Sequence, residues 1–136
     1  MKRAFTIAVV LVVVLAVAGV LVNSTVLVPR RSREQVRQGT RAIWRGLDAY
    51  ARAHGGHYPP ATLVRPRKPG SSNAHERRTV GAYLPSWPLN PFSDRPMHAG
   101  TGPGDFSYVR GPGGHRATLT GFGVGGKTVI TLPAGR

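Results

Sequence analysis

The chain contains no cysteine. That excludes a disulfide framework, a thiolate metal site and lipid anchoring through a cysteine. Acidic residues are nearly as scarce, with five Asp and Glu against 19 Lys and Arg, for a net charge of +14 over 136 residues. So few carboxylates leave few acid–base pairs for catalysis. The imbalance draws the chain towards anionic partners: nucleic acid, anionic lipid or acidic wall polymer. The basic residues are scattered rather than clustered, which favours non-specific contact with phosphates, and an excess of Arg, Gly, Pro, Ala and Val is also what a GC-rich genome writes. Charge of either sign is missing altogether between Arg3 and Arg30.

That uncharged stretch is the dominant positive feature. Lys2 and Arg3 lead into an aliphatic run that reaches Val22, softens at Asn23-Ser24-Thr25 and stops at Pro29-Arg30-Arg31. Roughly 20 apolar residues suffice to cross a bilayer core, and the run lacks the polar face of a water-soluble helix. A cleaved secretory signal would be shorter and end at a small-x-small site; Ala16-Val17-Ala18-Gly19 supplies small residues, but the run continues past them. An uncleaved signal anchor fits the length. Orientation stays open, since Lys2 and Arg3 lie on one side and Arg30, Arg31 and Arg33 on the other.

A third reading comes from residue order. Two basic residues, a small Ala4, then Phe5-Thr6-Ile7 and an unbroken aliphatic helix resemble the leader of type IV pilins and type II secretion pseudopilins. The resemblance implies a leader over 1–4, cut between Ala4 and Phe5 by a prepilin peptidase on the cytoplasmic face. Residues 5–28 then become a membrane and filament-core helix, in which Phe5, Thr6, Ile7 and Val9 meet neighbouring subunits. The family usually has Gly where Ala4 stands, and a Glu at the fifth mature position, where this chain has Val9. The missing carboxylate points to a tip or initiating position rather than the repeating subunit.

Beyond Pro29, Ser32 followed by Gln35 resembles a capping box. Val36, Thr40, Ile43, Leu47 and Tyr50 recur at helical spacing and Trp44 widens the stripe, which predicts an amphipathic helix over 29–55. His54-Gly55-Gly56 ends it. Residues 56–104 are rich in Pro and Gly: 65–78 reads as a loop with little to bury, and Thr79 to Leu84 as a helical turn or an extended piece. From 105 to 136 three strands emerge, Phe106 to Val109, Ala117 to Phe122 and Thr128 to Leu132, linked by Gly-rich turns in an antiparallel meander. The predicted fold is α+β: a long N-terminal helix packed on a small antiparallel sheet of three to four strands.

Local motifs extend the resemblance. Leu47-Asp48-Ala49-Tyr50 running into Gly55-Gly56-His57-Tyr58-Pro59 resembles the helix end of pilins and pseudopilins. Tyr83-Leu84-Pro85, then Trp87-Pro88-Leu89-Asn90-Pro91-Phe92 and Pro96-Met97, resembles the pseudopilin Pro-rich loop. Gly104-Asp105-Phe106-Ser107-Tyr108 and Leu119-Thr120-Gly121-Phe122-Gly123 match the strands that follow. Pro85, Pro88, Pro91 and Pro96 restrict the unfolded chain. Trp87, Pro88, Asn90, Pro91 and Phe92 form a structural loop, with Trp87 and Phe92 as anchors worth about 2–3 kcal/mol each if fully buried.

Many major pseudopilins bind Ca²⁺ near the sheet, and Ca²⁺ takes 6–8 oxygens. Here Asp94 and Asp105, supplemented by Asn90 and Ser93, are the weak candidates, and Lys127 stands where further acids are expected. His54 and His57 sit at a helix end, while His75, His98 and His115 lie in separate loops; none forms a zinc set. Gly121-x-Gly-x-Gly-Gly lies between two strands and fails as a dinucleotide loop. The chain reads as a non-enzyme without a cofactor. The resemblance implies a pseudopilin or minor pilin in the cytoplasmic membrane, single-pass, with its C-terminal domain outside the cytoplasm. Its partners would be other pilin subunits, the prepilin peptidase and the inner-membrane assembly platform. The alternatives are a membrane-anchored basic module that captures DNA or an acidic polymer, and an uncleaved signal-anchored protein.

Overall fold

The apolar stripe from Val36 to Tyr50 is the buried face of a helix. In the computed structural model, which describes residues 30–71 and 73–133, α1 covers residues 30–53. The expectations for the leader, for cleavage between Ala4 and Phe5, and for Thr6, Ile7 and Val9 in the run 5–28 lie outside the described residues. The chain divides into Met1–Arg31 and Ser32–Arg136. Among the described residues no helix is long and apolar enough to cross a membrane.

Val36, Ile43, Leu47, Tyr50 and Ala51 of α1 are buried. Thr40 is fully buried as well, and its hydroxyl donates to the Val36 carbonyl at 2.8 Å, so the stripe carries no unpaired hydroxyl. The arginines at 33, 41, 45 and 52 are exposed, as the periodicity requires. Ser32 does not cap the helix. Arg30 and Arg31 are already helical, so Ser32 lies within the helix and not at its start, and the capping-box expectation fails. The C-terminus behaves as expected. Gly55 and Gly56 take φ values of 64° and 84°, and the Gly56 amide donates to the Ala51 carbonyl at 2.8 Å, closing a Schellman-type end.

The sheet is a three-stranded antiparallel meander in the order β1-β2-β3, with β1 Phe106–Arg110, β2 Ala117–Phe122 and β3 Thr128–Leu132. Phe106 faces Gly121, Tyr108 faces Leu119, and Leu119 faces Leu132 in turn. Strand side chains alternate between faces, so these residues share the inner face and Thr118, Thr120 and Thr131 the outer one. Ile43 and Leu47 join Phe106, Leu119, Val64, Val80 and Met97 in one core, flanked by Trp44, Tyr58, Trp87 and Tyr108. Gly121 is where helix and sheet meet most closely: a Cβ there would collide with the Thr40 side chain.

Short 3₁₀ turns punctuate the connection, at Ala61–Leu63, Glu76–Arg78 and Val80–Tyr83. The last of these decides the segment from Thr79 to Leu84 in favour of a helical turn. Residues 98–100 lie along the outer edge of β1, where the Phe106 amide donates to the His98 carbonyl and the Gly100 amide to the Phe106 carbonyl.

Candidate functional site

Asn90 organises the Pro-rich loop. Its amide donates to the Arg95 carbonyl at 2.7 Å, and its own carbonyl accepts from Asp94 at 2.9 Å, which folds 90–95 into a tight turn. Its side chain then spans the gap to the strand entry. Oδ1 accepts from the Phe92 amide at 2.9 Å, while Nδ2 donates to the Pro103 carbonyl at 2.8 Å and to Asp105 Oδ1 at 3.3 Å. Gly104, at φ 79°, leaves the space that the Asn90 carboxamide fills.

Asp105 completes the cluster. Oδ2 accepts from the Gly102 amide at 3.1 Å, and Oδ1 lies 3.3 Å from His98 Nδ1. The Asp105 carbonyl accepts from the Phe122 amide, and the Phe122 carbonyl from the Gly104 amide, so the cluster is stitched to the end of β2. This donor-rich surrounding does not fit the Ca²⁺ reading. A hard cation needs converging oxygens, whereas both Asp105 oxygens face N–H donors. Asp94 is exposed at the turn, at φ 53°. Among the described residues no group of three His, Asp or Glu side chains could hold a metal.

The remaining loop residues divide. Trp87 packs on Phe106 with ring centroids 6.2 Å apart, and its indole N–H donates to the Met97 carbonyl at 2.8 Å, so it anchors the loop. Phe92 does not: it is 40% exposed, because the Asn90 turn carries it outward, and Leu89 on the same loop is 58% exposed. Pro88, Pro91 and Asp94 line one side of a groove of about 380 Å³ whose other side is Gln35, Gln38 and Ala42 of α1.

The helix end is tied to the sheet by its Tyr-Pro segment. Tyr58 donates its hydroxyl to Asp48 at 2.9 Å and its amide to the Gly114 carbonyl at 2.8 Å, and it stacks on Trp44. Tyr108 donates to the Pro59 carbonyl at 2.7 Å. Burial, and for Tyr58 also the bond to Asp48, pushes both phenols up to about 12. His57 and His115 have ring centroids 4.1 Å apart, and His54 stacks on Tyr50; His75 and His98 lie elsewhere.

One constellation escaped the sequence reading. Glu76 is buried within the segment that was expected to bury almost nothing. Its carboxylate takes two bonds from the Arg65 guanidinium, at 2.8 and 3.1 Å, and a third from the Lys68 amide at 3.0 Å. The guanidinium first, and then the Lys68 amide, hold its carboxyl down at about 2. Asn73 accepts from the Glu76 amide, and Thr79 donates to its carbonyl. The available signal was Glu76 itself, one of only five acids, placed among basic residues.

No protein-family model, no curated protein and no solved structure matches the chain.

Proposed function

We propose that this chain is a structural subunit, a pseudopilin or minor pilin, of a type II secretion or type IV pilus-like filament. The observation that carries the reading is the order of parts. The uncharged N-terminal stretch is followed in sequence by the helix over residues 30–53, then by a tight Pro-rich loop and a three-stranded antiparallel meander packed on that helix. The Lys2-Arg3-Ala4-Phe5 start supports the same reading. The resemblance assigns 5–28 to the membrane before assembly and to the filament core afterwards, with the C-terminal domain outside the cytoplasm. Val9 leaves a neighbour's terminal amine without its usual carboxylate, which favours a tip or initiating position. Leu89 and Phe92, both exposed on the Pro-rich loop, are suited to contact the next subunit. The partners are other pilin-like subunits, a prepilin peptidase and an assembly platform, and no enzymatic role is assigned.

The test is co-expression of the full chain with a prepilin peptidase, followed by intact mass and N-terminal analysis. A chain that begins at N-methylated Phe5 is the expected product. An intact Met1, under conditions where a control prepilin is processed, refutes the reading.

A second reading rests on the loop that Glu76 organises. Arg67, Lys68, Arg77 and Arg78 are exposed there, and the loop's only acid is committed to Arg65. A basic module that captures DNA or an acidic polymer would use this face. Retention of DNA by the full chain should then fall steeply with salt, and no retention at low salt removes this alternative.

A further inference from the structure

The two edges of the sheet are treated differently. Residues 98–100 pair with Phe106 at the start of the outer edge of β1, whereas among the described residues no backbone group is bonded to the outer edge of β3. An uncovered edge strand is a template for another strand. Beside it lies a cleft of about 470 Å³, formed by Trp44, Gln38, Arg41 and Arg45 of α1 together with Leu132 of β3. Leu132 is on the inner face, opposite Leu119, so the cleft opens where the inward side chains of an added strand would fall. Its floor is apolar, through Trp44 and Leu132. Its rim carries two exposed guanidiniums one helical turn apart, and neither Arg41 nor Arg45 has a carboxylate partner among the described residues.

We propose that this edge and cleft bind an extended acidic peptide segment of a partner protein, added to the sheet as a fourth strand beside β3. Main-chain hydrogen bonds to β3 would supply the generic part of the affinity, and alternate side chains the specificity. An inward apolar residue enters between Trp44 and Leu132, and inward carboxylates two residues to either side meet Arg41 and Arg45. Outward positions continue the threonine face. A second copy of this chain is a poor occupant. Of its five acids, Glu34 faces Arg37, Asp48 accepts from Tyr58, Glu76 is held by Arg65, Asp105 is locked in the loop, and the exposed Asp94 sits at φ 53° in the tight turn that Asn90 closes, so no acidic extended segment remains to offer. The proposal concerns the folded unit and does not depend on the filament reading.

The experiment uses the full chain in detergent and the labelled peptide acetyl-Thr-Glu-Thr-Leu-Thr-Glu-Thr-amide. Two controls replace both glutamates by lysine or the central leucine's neighbour by proline. Fluorescence anisotropy measures binding, and amide hydrogen exchange locates it. The acidic peptide is expected to bind and to slow exchange in Thr128–Leu132, whereas the lysine and proline peptides do neither. The double variant Arg41→Glu, Arg45→Glu is expected to weaken binding about tenfold or more, while circular dichroism stays unchanged because both residues are exposed. Absence of binding overturns the proposal. So does equal binding of the proline peptide, protection elsewhere than β3, or an oligonucleotide that protects the same amides.

Discussion

Replacing Asn90 should cost more than its place in a surface loop suggests. Asn90→Ala removes three side-chain hydrogen bonds, to Phe92, Pro103 and Asp105. A neutral hydrogen bond contributes about 0.5–1.5 kcal/mol net and one to a charged group about 1.5–3. Pro103 and Phe92 are exposed, so water can take over their carbonyl and amide, and Asp105 keeps its Gly102 bond. The expected loss is therefore about 2–4 kcal/mol, at the lower end of the simple sum. In a folded unit of this size, that lowers the thermal midpoint by about 10–25 °C. Asn90→Asp separates the cause from a mere packing defect. It keeps the acceptor for Phe92 but turns the donor into a carboxylate facing Asp105 and the Pro103 carbonyl. At neutral pH it should be less stable than Asn90→Ala, and acidification should narrow the gap as a shared proton restores a donor. Urea unfolding of the full-length variants at neutral and acid pH reads both effects. An Asn90→Ala variant within about 0.5 kcal/mol of the parent, or an Asn90→Asp variant no worse than alanine at neutral pH, refutes the argument.

Other consequences can be checked separately. Glu76 titrates at about 2 when folded, against an ordinary 4.5, so its contribution is present above about 4.5 and is lost as pH falls towards 2; Glu76→Gln should flatten that acid limb in urea midpoints measured across the window. Tyr58 and Tyr108 titrate at about 12 against 10, so folding stability should decline as pH rises from 10 to 12, and tyrosinate absorbance should show two late phenols that return to ordinary titration in denaturant. A Cβ at Gly81 would meet the Pro66 carbon at 2.8 Å and the Arg65 carbonyl oxygen at 2.9 Å, all backbone, so Gly81→Ala should cost about 1–3 kcal/mol in thermal melts. The atoms nearest a Cβ at Gly46 belong to the Val80 and Leu84 side chains, and alanine gains helix propensity there, so Gly46→Ala should cost clearly less.

The helix stripe and the three strands were legible because each rests on a local period. Val36, Ile43, Leu47 and Tyr50 announce a face by spacing alone, and the Gly-rich links announce the turns. Interior tertiary facts had no such signal. Arg65 and Glu76 are eleven residues apart in a segment without periodicity, so nothing short of the folded chain brings them together. Asn90 was recognised as part of the loop, but its role as the loop's centre depends on Gly104 leaving room for its carboxamide. Phe92 misled because aromatic character says nothing about which side of a tight turn it lands on. Ser32 misled because a capping motif is meaningful only where a helix begins.

The Arg65–Glu76 clasp has a consequence for how this chain can change. It fixes the two ends of a loop and leaves Arg67 to Gly70 and Asn73 to His75 exposed. Closing a loop twice as long costs only about 0.6 kcal/mol more. Insertions or exchanges at Pro69 and Gly70, away from the Asn73 that supports Glu76, should therefore be absorbed without repacking α1 or the sheet. The clasp makes this stretch a permissive site, where a lineage could graft new recognition residues and where an epitope tag could be placed.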